Sequence, residues 1–375
     1  MAGIYFHYPF CTQACNYCNF HFSTQLKNSS RIQQAMNKEL YLRKDELNLP
    51  IESIYFGGGS PSLLTPSFFY ETIKSVRDNF KVTSQVEISL EVNPDDVSSK
   101  YLTDIRKSGI NRISLGIQSF LDCELKIMNR VHNVKQGINS IRLTSRIFDN
   151  FSVDLIYGIP ESNLNSWTYN LDNLISFNPP HISTYALTVE PKTVLFHQVE
   201  NGEVELLDEE IVKNQYNILN IKLEKASYIN YEFSNFAKPG FHSVNNSNYW
   251  NGKPYLGIGP SAHSFDGNRK RSWNISNNIK YLNSIEKGCL NQSKEILKDY
   301  EAFNEYVMIS LRTTGIRFDR VKEFFGPSYC NYLEEQAKKY LMDRRLFWDG
   351  NVLKVSRKAK FLSDGIASDL FMLRG

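Results

Sequence analysis

Short apolar runs alternate with longer amphipathic stretches from the start of the chain to about residue 190. The apolar runs are rich in β-branched and aromatic residues and predict strands at 3–8, 53–56, 86–92, 112–117, 152–157 and 182–189. The amphipathic stretches predict helices at 31–47, 66–79, 98–107, 164–177 and 208–226, with further helical stretches between 118 and 149. Repeated strand–helix units require a parallel sheet. Because a closed barrel has eight such units, the six units here predict an α/β fold with a partial, TIM-like (βα)6 barrel.

The pattern changes at about residue 228, where a predicted strand at 228–233 precedes an aromatic, Gly- and Asn-rich stretch at 236–265. Further helices are predicted at 299–312, 319–325, 329–342 and 357–371. Asp349-Gly350 suits a two-residue turn and predicts a hairpin over 346–353. Helices followed by a small hairpin predict a smaller, winged-helix-like α+β domain. We therefore expect a barrel domain at 1–227, a connecting region at 228–295 and a C-terminal helical domain with a hairpin at 296–375.

Composition and charge exclude several functional classes. Hydrophobic residues make up 41% of the 375 residues, which is enough for a packed core. The 43 basic and 40 acidic side chains nearly balance, whereas a nucleic-acid partner requires a concentrated basic face. No apolar run approaches the roughly 18 residues of a membrane span, and the start lacks a signal-peptide pattern. We expect a cytoplasmic protein with no nucleic-acid partner and no integral membrane span.

Three closely spaced cysteines, Cys11, Cys15 and Cys18, carry the strongest chemical signal. Thiolates suit iron–sulfur clusters and zinc, and a [4Fe–4S] cluster is usually held by four cysteines. Three local cysteines would leave one iron open to a small molecule. The spacing also allows a zinc site, with His21 as a fourth ligand. The remaining cysteines, which are far apart in sequence, are expected to be inert core thiols: Cys123, Cys289 and Cys330.

The segment Tyr5-Phe-His-Tyr-Pro-Phe-Cys11, followed by the x₃-Cys-x₂-Cys spacing, resembles the radical S-adenosylmethionine (SAM) superfamily. The wider pattern resembles its coproporphyrinogen oxidase-like branch and, within that branch, the haem-chaperone subgroup. The oxidases carry a fourth cysteine two residues after the third, where this chain has Phe20. The resemblance implies a (βα)6 partial barrel, a [4Fe–4S] cluster held by the three cysteines, and SAM at the open iron.

Polar residues that follow the predicted strands are candidate SAM ligands, because ligands of parallel α/β folds bind at the C-terminal strand ends. Glu91 can accept hydrogen bonds from ribose hydroxyls, and Arg130 can pair with a carboxylate. Asp154 lies in an apolar strand and needs a partner, such as a ligand or Arg130. Singly, these residues also suit turns, helix caps or solvated positions. The resemblance assigns the SAM site to Tyr5, Gly57, Gly58, Ser60, Glu91, Gln118, Arg130 and Asp154, with Ser60 in place of the usual threonine.

A second segment departs from the pattern of the subgroup. The subgroup carries His-Asn-x-x-Tyr-Trp, whose histidine is associated with haem, whereas this chain has Asn245 before Asn246 and ends in Tyr249-Trp250. Asparagine is a poor iron ligand compared with His, Cys, Met or Tyr. We expect haem to bind, but more weakly than to a chain with histidine at that position. Two nearby histidines are alternative ligands, namely His242 and His263.

Three functional classes follow. The first is a haem-chaperone-like radical SAM protein that passes haem to an acceptor protein. The second is an enzyme, either an oxygen-independent coproporphyrinogen III oxidase or another catalyst that generates a 5′-deoxyadenosyl radical; Phe20 argues against the oxidase. The third is a structural protein with a vestigial cluster, against which the complete set of SAM residues argues. Assembly as a homodimer is left open.

Overall fold

The computed structural model describes residues 1–373. The strands there are β1 (Ala2–Tyr8), β2 (Ile51–Gly58), β3 (Val82–Val92), β4 (Arg112–Gln118), β5 (Phe151–Tyr157), β6 (His181–Ala186), β7 (Ile229–Asn230), β8 (Asn235–Ala237), β9 (Tyr255–Ile258), β10 (His263–Phe265), β11 (Lys270–Asn274), β12 (Gln292–Ile296), β13 (Ile316–Arg317), β14 (Leu346–Asp349) and β15 (Val352–Val355). The helices are α1 (Ser29–Leu42), α2 (Pro66–Asn79), α3 (Ser99–Lys107), α4 (Asp122–Ile127), α5 (Val134–Ile147), α6 (Leu164–Phe177), α7 (Val194–Glu200), α8 (Glu209–Lys225), α9 (Val244–Trp250), α10 (Asn278–Glu286), α11 (Asp299–Arg312), α12 (Phe318–Phe325), α13 (Pro327–Met342) and α14 (Ser363–Asp369). In this part of the chain no helix has the length and apolar content needed to cross a bilayer.

The first six strands form an unbroken series of parallel pairs, from β1 to β6. Strand β9 pairs in parallel with the other edge of β1. The sheet has the order β12-β11-β10-β9-β1-β2-β3-β4-β5-β6-β8-β7, so its two edges do not meet. This arrangement confirms the predicted α/β fold with an open, partial (βα)6 barrel.

The chain folds into two compact units. The first comprises residues 1–229, 236–268 and 272–294, and the second comprises 230–235, 269–271 and 295–373. Much of the region expected to connect two domains therefore belongs to the first unit. It supplies β9, which extends the barrel sheet beyond β1.

Several predicted element boundaries differ from those of the structure. Helix α1 ends at Leu42 rather than 47, since Arg43 turns inward and donates to the Gly257 carbonyl at 2.7 Å. Strand β6 ends at Ala186 rather than 189. The strand predicted at 228–233 is limited to the two residues of β7. The Asn230 side-chain amide donates to the Asn235 carbonyl at 3.1 Å, and such a side-chain bond to the backbone competes with the hydrogen bonds of a sheet.

The second unit contains α11, β13, α12 and α13, followed by the β14–β15 hairpin, in the order expected of a winged-helix-like domain. Its three strands form a separate sheet in the order β13-β15-β14. Asp349 pairs with Val352, so the hairpin turn is Gly350-Asn351 and lies one residue later than predicted. The predicted final helix at 357–371 is divided into a 3-10 turn, Arg357–Leu362, and α14.

Alternation along the barrel strands separates an apolar face from a polar one. Ile4, Phe6, Ile54 and Phe56 are fully buried and belong to the core. The intervening positions carry mostly polar side chains that contact one another across the strands. A side chain at Gly57, for example, would meet those of Tyr5, Tyr55 and Glu91 within 3.0 Å. This polar inner face supplies the candidate site described below.

The end of β2 passes against the end of β1 so closely that it requires glycine. The Gly59 amide donates to the Tyr8 carbonyl at 2.8 Å, and the Ser60 amide donates to the Phe10 carbonyl at 2.7 Å. A Cβ at Gly59 would lie 2.6 Å from the Phe10 carbonyl oxygen. Gly58 has a φ of 110°, which L side chains rarely adopt. These bonds fix the start of the cysteine loop.

We predict that Gly59→Ala lowers the free energy of unfolding by roughly 1–3 kcal/mol, because the backbone of Phe10 must move to admit the methyl group. The matched control is Gly137→Ala on α5, where the nearest atoms to a new Cβ lie at 3.7 Å, an ordinary contact. The measurement is denaturant unfolding of both variants and the parent. Equal stability of the two variants would contradict the close approach.

Candidate functional site

The three clustered cysteines line one cavity of about 420 Å³ at the C-terminal ends of the barrel strands. Cys11, Cys15 and Cys18 are half-buried and form no disulfide. Burial raises the pKa of the Cys11 thiol to about 11 and also raises that of Cys18. Binding of a metal centre by these thiols would therefore release protons, because thiolates are the ligating form.

The cysteine loop is bound to the segment after α4 by reciprocal hydrogen bonds. The Gln13 amide donates to the Asn129 carbonyl at 2.8 Å, and the Asn129 amide donates to the Ala14 carbonyl at 2.7 Å. The Asn16 amide donates to the Ile127 carbonyl at 2.9 Å. The loop is thus held from two sides, by the end of β2 and by residues 127–129.

Arg130 lies beneath the loop and connects it to the strand ends. Its guanidinium donates to the Cys15 sulfur at 3.4 Å, the Asn93 side-chain oxygen at 3.0 Å and the Gly116 carbonyl at 3.0 Å. Burial alone would lower the pKa of Arg130, but the neighbouring Tyr17 and Cys15 outweigh it and raise the pKa. Its Nε is buried without a hydrogen-bond partner. A cation placed under a thiolate loop stabilises the negative charge of bound ligands.

Asp154 does not pair with Arg130, contrary to one of the two partners suggested by the sequence. Its carboxylate accepts hydrogen bonds from the hydroxyls of Ser114, at 2.9 and 3.2 Å, and Ser152, at 2.9 Å. Burial raises the pKa of Asp154, and these serine bonds oppose the rise. The carboxylate lines the cavity, and the charge of Arg112 also favours its ionised form.

Glu91 ends in the same cavity, with one carboxylate oxygen bonded to Tyr55 and the other to Gly58. The Tyr55 hydroxyl donates at 2.8 Å and the Gly58 amide at 3.2 Å. Burial, followed by the nearby charge of Asp154, raises the pKa of Glu91 from 4.5 to about 7. A second carboxylate therefore lies in the cavity with only neutral donors.

Gln118 combines backbone strain with an unpaired polar atom. Its φ is 66°, a left-handed value that is uncommon for residues other than glycine. Its side-chain oxygen is buried without a hydrogen-bond partner, and the residue lines the cavity. Strain and an unmet acceptor in one residue are typical of a ligand-binding position.

The structure brings most of the predicted SAM residues to this cavity, but not all of them. Gly58, Ser60, Glu91, Gln118, Arg130 and Asp154 line it, whereas Tyr5 and Gly57 do not. Tyr5 stacks on Tyr55, its partner on the neighbouring strand, with ring centroids 6.0 Å apart, and thus lies beside a residue that lines the cavity. Sequence reasoning missed several lining residues: Tyr55, Asn93, Ser114 and Tyr185. Their positions at strand ends could have identified them. Most of them, however, lie in segments that were predicted to be strands and were given no binding role.

The donors fit an iron–sulfur cluster with SAM better than zinc. His21, the suggested fourth zinc ligand, instead has its Nε2 2.7 Å from the Asn278 side-chain oxygen. Among residues 1–373, no group of three or more His, Cys, Asp or Glu side chains is arranged for a single metal ion. In a cubane each cysteine binds a different iron, so three soft thiols around one cavity suit that cluster. The unpaired atoms of Gln118 and Arg130 provide positions for a polar ligand beside it.

The remaining cysteines do not all behave as predicted. Cys123 and Cys289 are exposed, so their description as core thiols was wrong, and Cys330 is half-buried. Cys123 lies on α4 and Cys289 follows α10, on outer surfaces rather than in the apolar core.

The candidate haem residues lie outside the cavity. The Asn245 amide donates to a Glu87 carboxylate oxygen at 3.1 Å, at the first turn of α9. His242 and His263 are both exposed. Tyr249 and Trp250, at the end of α9, form an edge-to-face pair with centroids 5.3 Å apart.

The site analysis predicts how stability depends on pH. The folded-state pKa of Glu91 is about 7, above its ordinary value of 4.5, so the folded state binds the proton more tightly than the unfolded chain does. Protonation of Glu91 therefore stabilises the folded state fully below pH 4.5, and this stabilisation is lost as pH rises through 7. Glu91→Gln removes this titration. Between pH 4 and pH 8 the parent should therefore lose up to about 3 kcal/mol more of its free energy of unfolding than the variant does. Unfolding of both proteins across this range provides the measurement, and parallel profiles would contradict it.

Comparison with known proteins agrees with this geometry. Residues 5–170 match the family model described as "Radical SAM superfamily". The chain is 31% identical over 352 residues to a protein named "Heme chaperone HemW" from Bacillus subtilis, covering 91% of this chain and 93% of the relative.

A Danio rerio protein, "Radical S-adenosyl methionine domain-containing protein 1, mitochondrial", is 30% identical over 94% of this chain and 85% of its own length. The solved structure of the coproporphyrinogen III oxidase HemN from Escherichia coli superimposes with a TM-score of 0.85 at 20% identity, covering 100% of this chain and 90% of the oxidase, and it supports the fold. The chain therefore belongs to the radical SAM superfamily and, within its coproporphyrinogen oxidase-like branch, is a HemW-like member.

Proposed function

We propose that this protein is a haem-chaperone-like radical SAM protein that binds one [4Fe–4S] cluster, SAM and haem, and passes haem to an acceptor protein. The observation that carries the proposal is the cavity that combines Cys11, Cys15 and Cys18 with Glu91 and Asp154. The names of the relatives as heme chaperones support the haem part.

The residues of the cavity would divide the work of binding. The three cysteines hold the cluster, and Arg130 supports the loop from below through the Cys15 sulfur. Glu91 and Asp154 offer carboxylates to the hydroxyl and cationic groups of SAM. A [4Fe–4S] cluster held by these cysteines would supply one-electron chemistry for cleavage of a sulfonium beside it.

An oxygen-independent coproporphyrinogen III oxidase, or another enzyme that generates a 5′-deoxyadenosyl radical, is the second candidate. The presence of most of the predicted SAM residues in one cavity favours chemistry of that general kind. Against the oxidase stands Phe20, an exposed apolar ring on the cavity rim where the oxidases of the branch carry a fourth cysteine. Haem titration beside an assay of coproporphyrinogen turnover on the same anaerobic sample separates the two candidates.

The cluster is tested by substitution of its ligands. Replacing Cys11, Cys15 or Cys18 by Ala should abolish the broad visible absorbance and the reduced-state EPR signal after anaerobic reconstitution, because each cysteine holds a different iron. Cys123→Ala, which removes an exposed thiol on α4, is the matched control and should retain full iron content. Zinc without iron in the reconstituted protein would overturn the proposal.

SAM binding is tested by replacing the two cavity carboxylates. Glu91→Ala and Asp154→Ala should each weaken SAM binding by about ten- to a hundredfold, the cost of roughly 1.5–3 kcal/mol for a lost charged hydrogen bond. Iron content should not change in either variant, since neither residue is a cluster ligand. The readouts are a SAM titration and the EPR spectrum of the reduced cluster. Unchanged affinity in both variants would place SAM elsewhere.

A further inference from the structure

Two of the clustered cysteines, Cys11 and Cys15, have a side-chain donor at the sulfur. The Arg130 guanidinium donates to the Cys15 sulfur at 3.4 Å. Burial raises the pKa of the Cys11 thiol, and a hydrogen bond from the Ser60 side chain opposes that rise. Hydrogen bonds to the sulfurs are among the factors that set the reduction potential of an iron–sulfur cluster. The residues that hold Ser60 and Arg130 in place therefore bear on that potential.

Asn93 lies between these two donors and contacts both of them. Its side-chain nitrogen donates to the Ser60 hydroxyl oxygen at 2.8 Å, and its side-chain oxygen accepts from Arg130 Nη2 at 3.0 Å. Because a guanidinium can only donate, the amide oxygen must face Arg130 and the amide nitrogen must face Ser60. One amide therefore joins the two donors in a fixed orientation.

These bonds direct each donor toward a sulfur. Nη2 of Arg130 is held by the Asn93 oxygen and by the Gly116 carbonyl, both at 3.0 Å, while Nη1 faces the Cys15 sulfur. The Ser60 hydroxyl uses its oxygen to accept from Asn93, so its own hydrogen is available for a sulfur. Without the Asn93 amide, the guanidinium would lose one of its anchors and the hydroxyl would be free to rotate.

We infer that Asn93 is a positioning residue that holds Ser60 and Arg130 against the cluster sulfurs and thereby raises the reduction potential of the cluster; this inference rests on the proposed [4Fe–4S] site. One-electron reduction adds a negative charge to the cluster, and hydrogen-bond donors stabilise the more negatively charged state more strongly. Asn93 acts through its two neighbours and is not itself a ligand.

The fold explains why Asn93 reaches this position. It follows β3 directly and lies two residues after Glu91, so the two side chains point to the same face of the sheet, and both line the cavity. The Asn93 backbone amide donates to the Ser62 hydroxyl at 3.4 Å, and its carbonyl accepts from the Asp96 amide at 3.1 Å. Replacement of the side chain leaves these two backbone contacts available.

Other polar contacts of the cysteine loop have a different character. The side chains of Gln13 and Asn129 join the loop to residues 127–129 through carbonyl and amide oxygens. Burial raises the pKa of Cys18, and a backbone hydrogen bond from Phe20 opposes the rise. Because that donor belongs to the backbone of the loop, a substitution at Asn93 acts on the other two sulfurs.

The test is a redox titration of the full-length protein after anaerobic reconstitution with iron and sulfide, with dithionite as the reductant and EPR and visible absorbance as readouts. We compare the parent with Asn93→Ala, Ser60→Ala, the double variant and Asn111→Ala. The Asn111 side chain is a matched control, since it also accepts one hydrogen bond, from the Ile88 amide at 2.7 Å, and donates one, to the Val86 carbonyl at 2.8 Å. It precedes β4 and thus lies at the opposite end of the strands from the cavity. Iron content and circular dichroism establish that each variant is loaded and folded.

We expect Asn93→Ala to lower the potential and to shift the equilibrium between oxidised and reduced cluster by at least tenfold, which is about 59 mV for one electron. Asn111→Ala should match the parent. Because Asn93 acts partly through Ser60, the double variant should shift the potential by less than the sum of the single shifts. If Asn93→Ala loses the cluster, Asn93→Ser replaces it in the comparison. A serine is too short to bridge Ser60 and Arg130, so it should lower the potential as well.

The outcomes separate this inference from the proposed function. A parent-like potential in a cluster-containing Asn93 variant, or fully additive shifts with Ser60→Ala, would overturn the inference and leave the proposed function intact. Loss of the cluster from both Asn93 variants would also overturn it, because the residue would then serve assembly rather than the potential. If the reconstituted parent holds no iron–sulfur cluster, the proposed function fails and the inference fails with it.

Discussion

The site depends on the contact between the backbone at the end of β2 and the backbone at the end of β1. Two backbone hydrogen bonds, from the Gly59 amide to the Tyr8 carbonyl and from the Ser60 amide to the Phe10 carbonyl, continue the parallel ladder past the last strand residues. They fix the first residue of the cysteine loop at the mouth of the barrel. Only glycine permits the approach at position 59, where a Cβ would overlap the Phe10 backbone.

The second constraint is electrostatic. Glu91 and Asp154 line one cavity, where hydroxyls and a backbone amide donate hydrogen bonds to them and the charge of Arg112 favours the ionised form of Asp154. Burial raises the pKa of both carboxyls. Such a pair destabilises the folded protein when ionised and is relieved by a positively charged ligand. SAM, which the proposed function assigns to this cavity, carries a sulfonium and an ammonium group that would offset the cost of burying the carboxylates.

The sequence predicted the elements whose signals are local. Helices α2 and α6 have the predicted bounds, because Pro66 and the Asn163 cap fix their starts. Elements that depend on contacts between residues far apart in sequence were less predictable. Helix α1 ends before Arg43, which donates to the Gly257 carbonyl, and β9 pairs with β1 although the two strands are far apart in the sequence. The same holds for the site. The three cysteines form a local motif that the sequence shows directly, whereas the serine partners of Asp154 come from two different strands and could not be predicted.

Strand β1 separates two chemically different halves of the inner face. Its even positions, such as Ile4 and Phe6, belong to the apolar core. Its odd positions lie on the inner face, where Tyr5 pairs with Tyr55 of β2 and Gly257 of β9. The strand therefore lies between a polar half of the inner face, toward β2, and an aromatic half, toward β9, where the rings of Tyr255 and Phe265 are 6.4 Å apart. Because the cysteine loop follows β1 directly, a displacement of this strand would move both the loop and the residues on either side of the strand. The His7 ring, whose Nε2 lies 2.8 Å from the His21 carbonyl oxygen, connects the strand to the loop a second time.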